Sequence, residues 1–116
     1  MQIFFHTKEV ELDEREEKHI RERLEKLNKF FSPSVQYYVN LEKTRGDLKG
    51  DDLYEASIKV DDPPHHYFAD DRKDSVLKAF DAAYNDLFRL IRKDRGKARA
   101  MLKAAGRKIK KMLRMR

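Results

Sequence analysis

Two hydrophobic periodicities divide the chain into strand-like and helix-like segments. Ile3–Phe5 is a short apolar run that predicts a first strand. Alternating apolar and polar residues over Val35–Leu41 and Tyr54–Val60 predict two half-buried strands, since strand side chains alternate between the faces of a sheet. The polar segment Thr44–Asp52 between them, with two glycines, predicts a hairpin loop. His66–Ala69, after two prolines, predicts a short final strand.

Apolar residues at spacings of three and four predict two helices. The first has Asp13 as its N-cap, with Glu16 completing a capping box, and is expected to run for about five turns to Ser32. The second has Ser75 as its N-cap. Its stripe is the strongest periodic signal in the chain and consists of Val76, Leu77, Phe80, Ala83, Tyr84, Leu87, Phe88 and Ile91.

The predicted order is strand, helix, three strands, helix. It indicates an α+β fold, a β-α-β-β-β-α two-layer sandwich in which two helices cover one face of a four-stranded sheet. Gly96 is expected to weaken or end the second helix, because glycine costs about 1 kcal/mol relative to alanine inside a helix. We therefore divide the chain into a domain at 1–95 and a tail at 96–116, which is either a basic amphipathic helix interrupted at Gly106 or disordered.

Charge changes this picture, because the two parts of the chain have opposite signs. Residues 91–116 contain twelve Lys or Arg and one Asp, whereas residues 1–90 contain fifteen basic and twenty acidic residues. A tail with this much positive charge favours a polyanion as its partner. RNA is the first hypothesis; a solubilising extension and attachment to a membrane through the Met and Leu residues are the alternatives. The tail has no aromatic residue beyond Phe88, which places RNA ahead of lipid.

Lysine and arginine residues on the two predicted helices are the candidate RNA contacts, since basic residues on rigid elements can match phosphate spacing. The first helix offers a basic residue at every third position, and the second repeats them at three and four. The alternative is that both are solvated faces balanced by Glu22, Glu25 and Asp86. The candidate set, with two residues from the tail, is Arg23, Lys26, Lys29, Arg89, Arg92, Lys93, Lys97 and Arg99.

The sequence gives no support to an enzyme or a metal site. There is no phosphate-binding glycine loop, no nucleophile beside a base, and no cysteine, and we expect no cofactor. His65 and His66 are adjacent, so on a strand they point to opposite faces and do not chelate one ion together. Tyr38 and Tyr67 are expected to face outward on the sheet. No apolar run is long enough to span a membrane, which favours a cytoplasmic protein.

Several segments resemble the ribosome hibernation promoting factor family, also called ribosome-associated inhibitor or ribosomal subunit interface protein. The most specific is the string Arg23–Phe31 at the end of the first helix. The others are Met1–Ile3, Val10–Leu12, Glu55–Ile58, Ala79–Asp81, and Leu87, Arg89, Ile91 and Lys93 in the second helix. Together they span about residues 1 to 95, and the fold that the resemblance implies has the same β-α-β-β-β-α order.

The resemblance also implies a function. Members of this family bind the small ribosomal subunit where mRNA and tRNA would lie, with basic helix residues on 16S rRNA phosphates. By position these would be Arg23, Lys26, Lys29, Arg89 and Lys93, and the mechanism would be steric inhibition of translation. We expect a monomer, because the C-terminal dimerisation domain of the family's long members has no counterpart here. The alternatives are a general double-stranded RNA-binding module and an interaction of the tail with a membrane or another partner.

Overall fold

A computed structural model describes the backbone of residues 1–45 and 52–114 and the side chains of residues 1–44 and 53–95. The elements are β1 (Gln2–Lys8), α1 (Glu14–Glu25), a 3₁₀ turn (Asn28–Phe30), β2 (Gln36–Arg45), β3 (Asp52–Asp62), β4 (His65–Lys73) and α2 (Val76–Arg114). The strands form one sheet in the order β1-β2-β3-β4, in which β1 is parallel to β2 and the other pairs are antiparallel. The predicted α+β fold is confirmed.

One face of the sheet and the two helices enclose the core. The inward positions of β2 and β3 are the alternating residues that the sequence indicated, and each of them is at most 1% exposed: Tyr37, Val39, Leu41, Ala56, Ile58 and Val60. Phe80, Ala83 and Leu87 from α2 and Ile20 and Leu24 from α1 belong to the same core. Burial of these apolar side chains is the main force that holds the layers together.

The first helix is shorter than predicted. Its capping box is confirmed, since the Asp13 carboxylate accepts from the Glu16 N–H at 2.7 Å and the Glu16 carboxylate accepts from the Asp13 N–H. The α-helix ends at Glu25, however, and not near Ser32. Leu24, Leu27 and Phe30 follow one another at intervals of three, and a 3₁₀ turn keeps such residues on one side, so that all three are buried.

The second helix is longer than predicted. The Ser75 cap is confirmed, because its hydroxyl oxygen accepts from the Lys78 N–H at 3.2 Å. The expected end at Gly96 is wrong, as is the interruption at Gly106, since the helical backbone continues to Arg114. Single glycines cost little against a run of Lys, Arg, Ala, Leu and Met, all good helix formers. The boundary between 1–95 and 96–116 therefore remains a prediction from composition.

Smaller differences concern the strands. β1 and β4 are longer than predicted. Tyr38 faces outward as expected, but Tyr67 faces the core at 7% exposure and Phe68 takes the outward position. Tyr67 pairs with the inward Val60, and this register fixes which face it occupies. Most of the hairpin loop predicted at Thr44–Asp52 lies outside the described residues, although β2 and β3 pair as far as Arg45 and Asp52.

Candidate nucleic-acid interface

An open groove of about 500 Å³ runs between the end of α1 and the first third of α2. Three predicted contacts, Arg23, Lys26 and Lys29, line one side of it. Arg23 lies in the last turn of α1, Lys26 is its C-cap residue, and Lys29 lies in the 3₁₀ turn. The other lining residues are Tyr84, Asn85 and Phe88 of α2. We call this feature the cationic groove.

Aromatic rings form the floor of the cationic groove. The Tyr84 and Phe88 rings are stacked with centroids 6.2 Å apart. The Arg23 guanidinium carbon lies 5.5 Å from the Tyr84 centroid, and the Lys29 ammonium lies 5.9 Å from that of Phe88. Burial raises the pKa of the Tyr84 hydroxyl, while the Arg23 charge opposes this rise. These cation–π contacts hold two of the basic groups over the groove before any ligand arrives.

One carboxylate lies next to the cationic groove and joins the two helices. The Asp81 oxygen Oδ1 is 2.7 Å from His19 Nε2 and 3.8 Å from Arg23 Nε. Asp81 and Arg23 are both about one-third exposed, so this pair orients Arg23 and contributes little to stability. Arg23 therefore has two neighbours on α2, the Asp81 carboxylate and the Tyr84 ring.

The acidic residues of α1 lie along a different flank of the helix. Glu14, Glu17, Glu22 and Glu25 line a separate depression together with Lys18 and Arg21. Within it, Glu17 pairs with Arg21 at 3.0 Å and Glu22 with Lys18 at 3.9 Å. Neither Glu22 nor Glu25 lines the cationic groove, and the carboxylate paired with Arg23 is that of Asp81 on α2.

The basic residues predicted on α2 do not all face the same way. Arg89, Arg92 and Lys93 are exposed, and none forms an ion pair with another residue in the described part of the chain. At 100° per residue, Arg92 continues the row of Asn85 and Phe88, and Arg89 lies beside Asn85 at the rim. Lys93 is turned a further 100° away from Arg92, toward the far flank. The side chains of Lys97 and Arg99 lie outside the described residues.

A polar cluster that was not predicted lies where α2 passes the end of β3 and the start of β4. The carboxylate of Asp62, 7% exposed, accepts from the Ser32 N–H at 2.9 Å and from the Ser32 hydroxyl. Beside it, Arg95 Nη1 lies 2.6 Å from His65 Nε2. Burial opposes ionisation of Asp62, but the Ser32 hydrogen bonds and the charges of His65 and Arg95 outweigh it and lower the Asp62 pKa.

A second hydrogen bond in this cluster joins Tyr67 of β4 to Asp94 of α2. Burial, and then the Asp94 hydrogen bond, raise the pKa of Tyr67 to about 12. Together with the Arg95–His65 contact it attaches α2 to β4 beyond Ile91, the last buried residue of the helix stripe. The cluster therefore fixes the direction in which α2 leaves the sheet.

The two adjacent histidines have separate partners. His66 Nδ1 lies 3.0 Å from Asp61, whereas His65 contacts Arg95. No group of metal-ligating side chains occurs among the residues whose side chains are described. Over the same part of the chain, no helix is both long and apolar enough to cross a bilayer.

Comparison with known proteins identifies a family to which this chain is similar. The model of the sigma 54 modulation protein / S30EA ribosomal protein family matches residues 3–99. No curated protein sequence matches the chain.

Two solved structures are similar in fold. One is the Thermus thermophilus Protein Y N-terminal domain, with a TM-score of 0.64 and 19% identity over 80% of this chain and 98% of that chain. The other is a ribosomal subunit interface protein from Coxiella burnetii, with a TM-score of 0.62 and 15% identity over 83% of this chain and 99% of that chain. The resemblance recognised in the sequence is thereby confirmed, and the chain belongs to the sigma 54 modulation protein / S30EA ribosomal protein family.

Proposed function

We propose that this protein binds the small ribosomal subunit and inhibits translation by occupying the channel that mRNA and tRNA use. The observation that carries the proposal is the cationic groove with the exposed Arg89 and Arg92 beside it. Rigid elements present these basic groups on one side of the domain, and the acidic residues of α1 line another flank. Such an arrangement suits the closely spaced phosphates of folded rRNA.

The mechanism is steric and electrostatic. Contacts to phosphates would come from Arg23, Lys26 and Lys29 on one side of the groove and from Arg89 and Arg92 on the other. Lys93 lies farther from α1 and contributes at the edge of this surface. A bound domain excludes mRNA and tRNA from the space it fills, so no bond is made or broken and no cofactor is required. The family supports a ribosomal partner and a cytoplasmic location.

The basic extension would add contacts to the same polyanion. Its helical backbone continues α2 away from the sheet, and Lys97 and Arg99 are the first basic residues beyond the described side chains. Replacing Lys97 and Arg99 with Gln should weaken binding less than changes in the groove do. This comparison also tests the alternative in which the tail alone binds a membrane or another partner.

Co-sedimentation with purified small subunits at two salt concentrations tests the proposal. The variant Arg23→Glu, Lys26→Glu, Arg89→Glu should lose association, because it removes three phosphate contacts and adds repulsion. A matched variant makes the same change in charge on the other side of the sheet at three exposed residues, Lys8→Glu, Lys59→Glu and Arg72→Glu. This control should still associate.

Two results would contradict the proposal. Equal losses in the two variants would mean that net charge, and not the groove, determines binding. If the protein bound free duplex RNA as tightly as small subunits, and tRNA did not compete with its binding to the subunits, it would be a general double-stranded RNA-binding module instead. Circular dichroism on each variant verifies that the fold is kept.

A further inference from the structure

A row of large side chains crosses the face of the sheet that the helices do not cover. The strand registers place Phe4, Tyr38, Lys59 and Phe68 side by side on β1, β2, β3 and β4. Phe4 is 45%, Tyr38 38% and Phe68 56% exposed. Phe4 and Tyr38 are neighbouring rings, and Lys59 lies between Tyr38 and Phe68. Large exposed apolar side chains grouped on one open face are more informative than scattered ones. We call this feature the aromatic row.

Most of the aromatic row is held by its own contacts. Phe4 and Tyr38 are stacked, with ring centroids 5.1 Å apart and planes 17° from parallel. The Lys59 ammonium, on the next strand, lies 5.7 Å from the Tyr38 centroid. Phe68 differs, because it has no ring or cation contact with any other residue in the part of the chain whose side chains are described. The most exposed ring of the row is thus the one without such a neighbour.

Carboxylates flank Phe68 on the same face. Asp70 lies two positions along β4 from Phe68, and His66 lies two positions in the other direction. Asp61 on β3, which His66 contacts at 3.0 Å, is a diagonal neighbour of Phe68 at the roughly 7–8 Å spacing of such pairs. Asp70 is exposed and forms no ion pair within the described residues. Over the whole outer face there are four carboxylates, Glu42, Glu55, Asp61 and Asp70, against three basic residues, Lys8, Lys59 and Arg72. Four against three leaves this face weakly acidic, in contrast to the cationic groove.

We infer that the outer sheet face around Phe68 is a docking surface for a basic segment of a protein partner, which stacks an arginine on the Phe68 ring beside Asp61 and Asp70. A guanidinium is attracted to a ring face and pairs with carboxylates in the same orientation. Lys59 over Tyr38 already shows the cation–ring part of this contact on the neighbouring strand. The surface is independent of RNA binding by the groove, which lies on the other side of the sheet.

Charge and area favour a basic protein segment over a nucleic-acid strand or a second copy of this chain. A nucleic-acid strand stacking on the row would bring phosphates next to Asp61 and Asp70, which repel them. A stable dimer through this face is not expected, because a standard interface buries about 800 Å² per partner and three partly exposed rings provide much less. The contact is therefore weak by itself, and it gains strength only where a second contact holds the partner in place.

Amide chemical shifts of the full-length ¹⁵N-labelled protein test the inference with three probes. These are a short peptide of alternating Arg and Leu, the same peptide with Glu in place of Arg, and oligouridine. The arginine peptide should shift the amides around Phe4, Tyr38 and Phe68, and the glutamate peptide should not. Phe68→Ala should weaken arginine-peptide binding about two- to fivefold, the equivalent of one exposed cation–π contact.

Two further variants separate specific from general effects. Asp70→Asn keeps the ring and removes the carboxylate, so it should also weaken binding, and it provides the test if Phe68→Ala fails to fold. Leu90→Ala removes a 44% exposed apolar side chain from α2 and should leave binding unchanged. Three results would overturn the inference. Oligouridine could shift the amide resonances of the aromatic row, protein concentration alone could shift them, or the arginine peptide could shift only amides elsewhere.

Discussion

The two faces of this sheet present surfaces of opposite character. The inner face is covered by α1 and α2, whose outer side bears the cationic groove, while the outer face is open and bears the aromatic row. Helix packing assembles the groove from residues of two helices. Strand register assembles the row from residues of four strands. The groove therefore depends on how α1 and α2 pack, and the row depends on strand pairing alone.

Both surfaces rest on one core, so the change that should affect them most is made inside it. Phe80→Ala removes a fully buried ring that contacts His19 and Tyr84. We expect a loss of about 3–5 kcal/mol in the free energy of unfolding, as for other buried Phe→Ala changes. Urea unfolding followed by circular dichroism measures it.

The matched control for that variant is Leu90→Ala on the same helix. Leu90 is exposed, so its replacement should change stability by no more than about 0.5 kcal/mol. If Phe80→Ala weakened RNA binding but left peptide binding at the row intact, the two surfaces would not share one cooperative unit.

The second prediction separates the two faces by their response to salt. Lys26→Gln with Arg89→Gln should lower the slope of log K against log salt for small-subunit binding by about 1.4–1.8, since each lost phosphate contact removes about 0.7–0.9. Lys59→Gln with Arg72→Gln makes the same change in charge on the outer face and should leave the slope unaltered. Binding is measured by sedimentation at several salt concentrations. Equal slopes for both pairs would show that the groove is not the RNA contact.

The third prediction concerns the polar cluster that joins α2 to the sheet. The Asp62 pKa lies below its ordinary value, so the ionised carboxylate stabilises the fold at neutral pH, and this contribution is lost as pH falls through the folded-state pKa. Asp62→Asn should therefore cost about 1.5–3 kcal/mol at pH 7, the range for hydrogen bonds to a charged group. Below about pH 4, where an aspartate is ordinarily protonated, the difference from wild type should shrink.

Urea unfolding at pH 7 and pH 3 measures this difference. Ser32→Ala is a useful companion variant, because it removes the hydroxyl donor to Asp62 and keeps the carboxylate. A gap between Asp62→Asn and wild type that stays constant with pH would mean that the carboxylate's charge does not contribute to stability.

Much of the fold could be predicted because its signals are local. The strand alternation, the capping box at Asp13 and the cap at Ser75 each depend on residues a few positions apart. The length of α1 was predicted wrongly, because apolar residues at intervals of three suit a 3₁₀ turn as well as an α-helix. The predicted end of α2 at Gly96 was wrong because one glycine is a weak signal within a run of good helix formers.

The candidate site could be predicted only in part, because some of its contacts join residues close in sequence and others join residues far apart. Arg23, Lys26 and Lys29 share a side because they lie three apart in the sequence. The position of Lys93 away from α1 depends on which side of α2 meets that helix. The partners in the polar cluster are 30 residues apart, Ser32 with Asp62 and His65 with Arg95. The aromatic row required the register of four strands, which no local pattern contains.

The smallest expected effect comes from Asp81, the carboxylate beside the groove. Asp81→Asn should change the free energy of unfolding by less than about 1 kcal/mol, since its ion pair with Arg23 and its hydrogen bond with His19 are both partly exposed. Removing a negative charge next to Arg23 should raise small-subunit affinity slightly at low salt, with the gain disappearing at high salt. Asp70→Asn, on the outer face, should have no such effect. A fall in affinity on Asp81→Asn would instead mean that the carboxylate orients Arg23 for binding, and that this orientation outweighs the charge it removes from the groove.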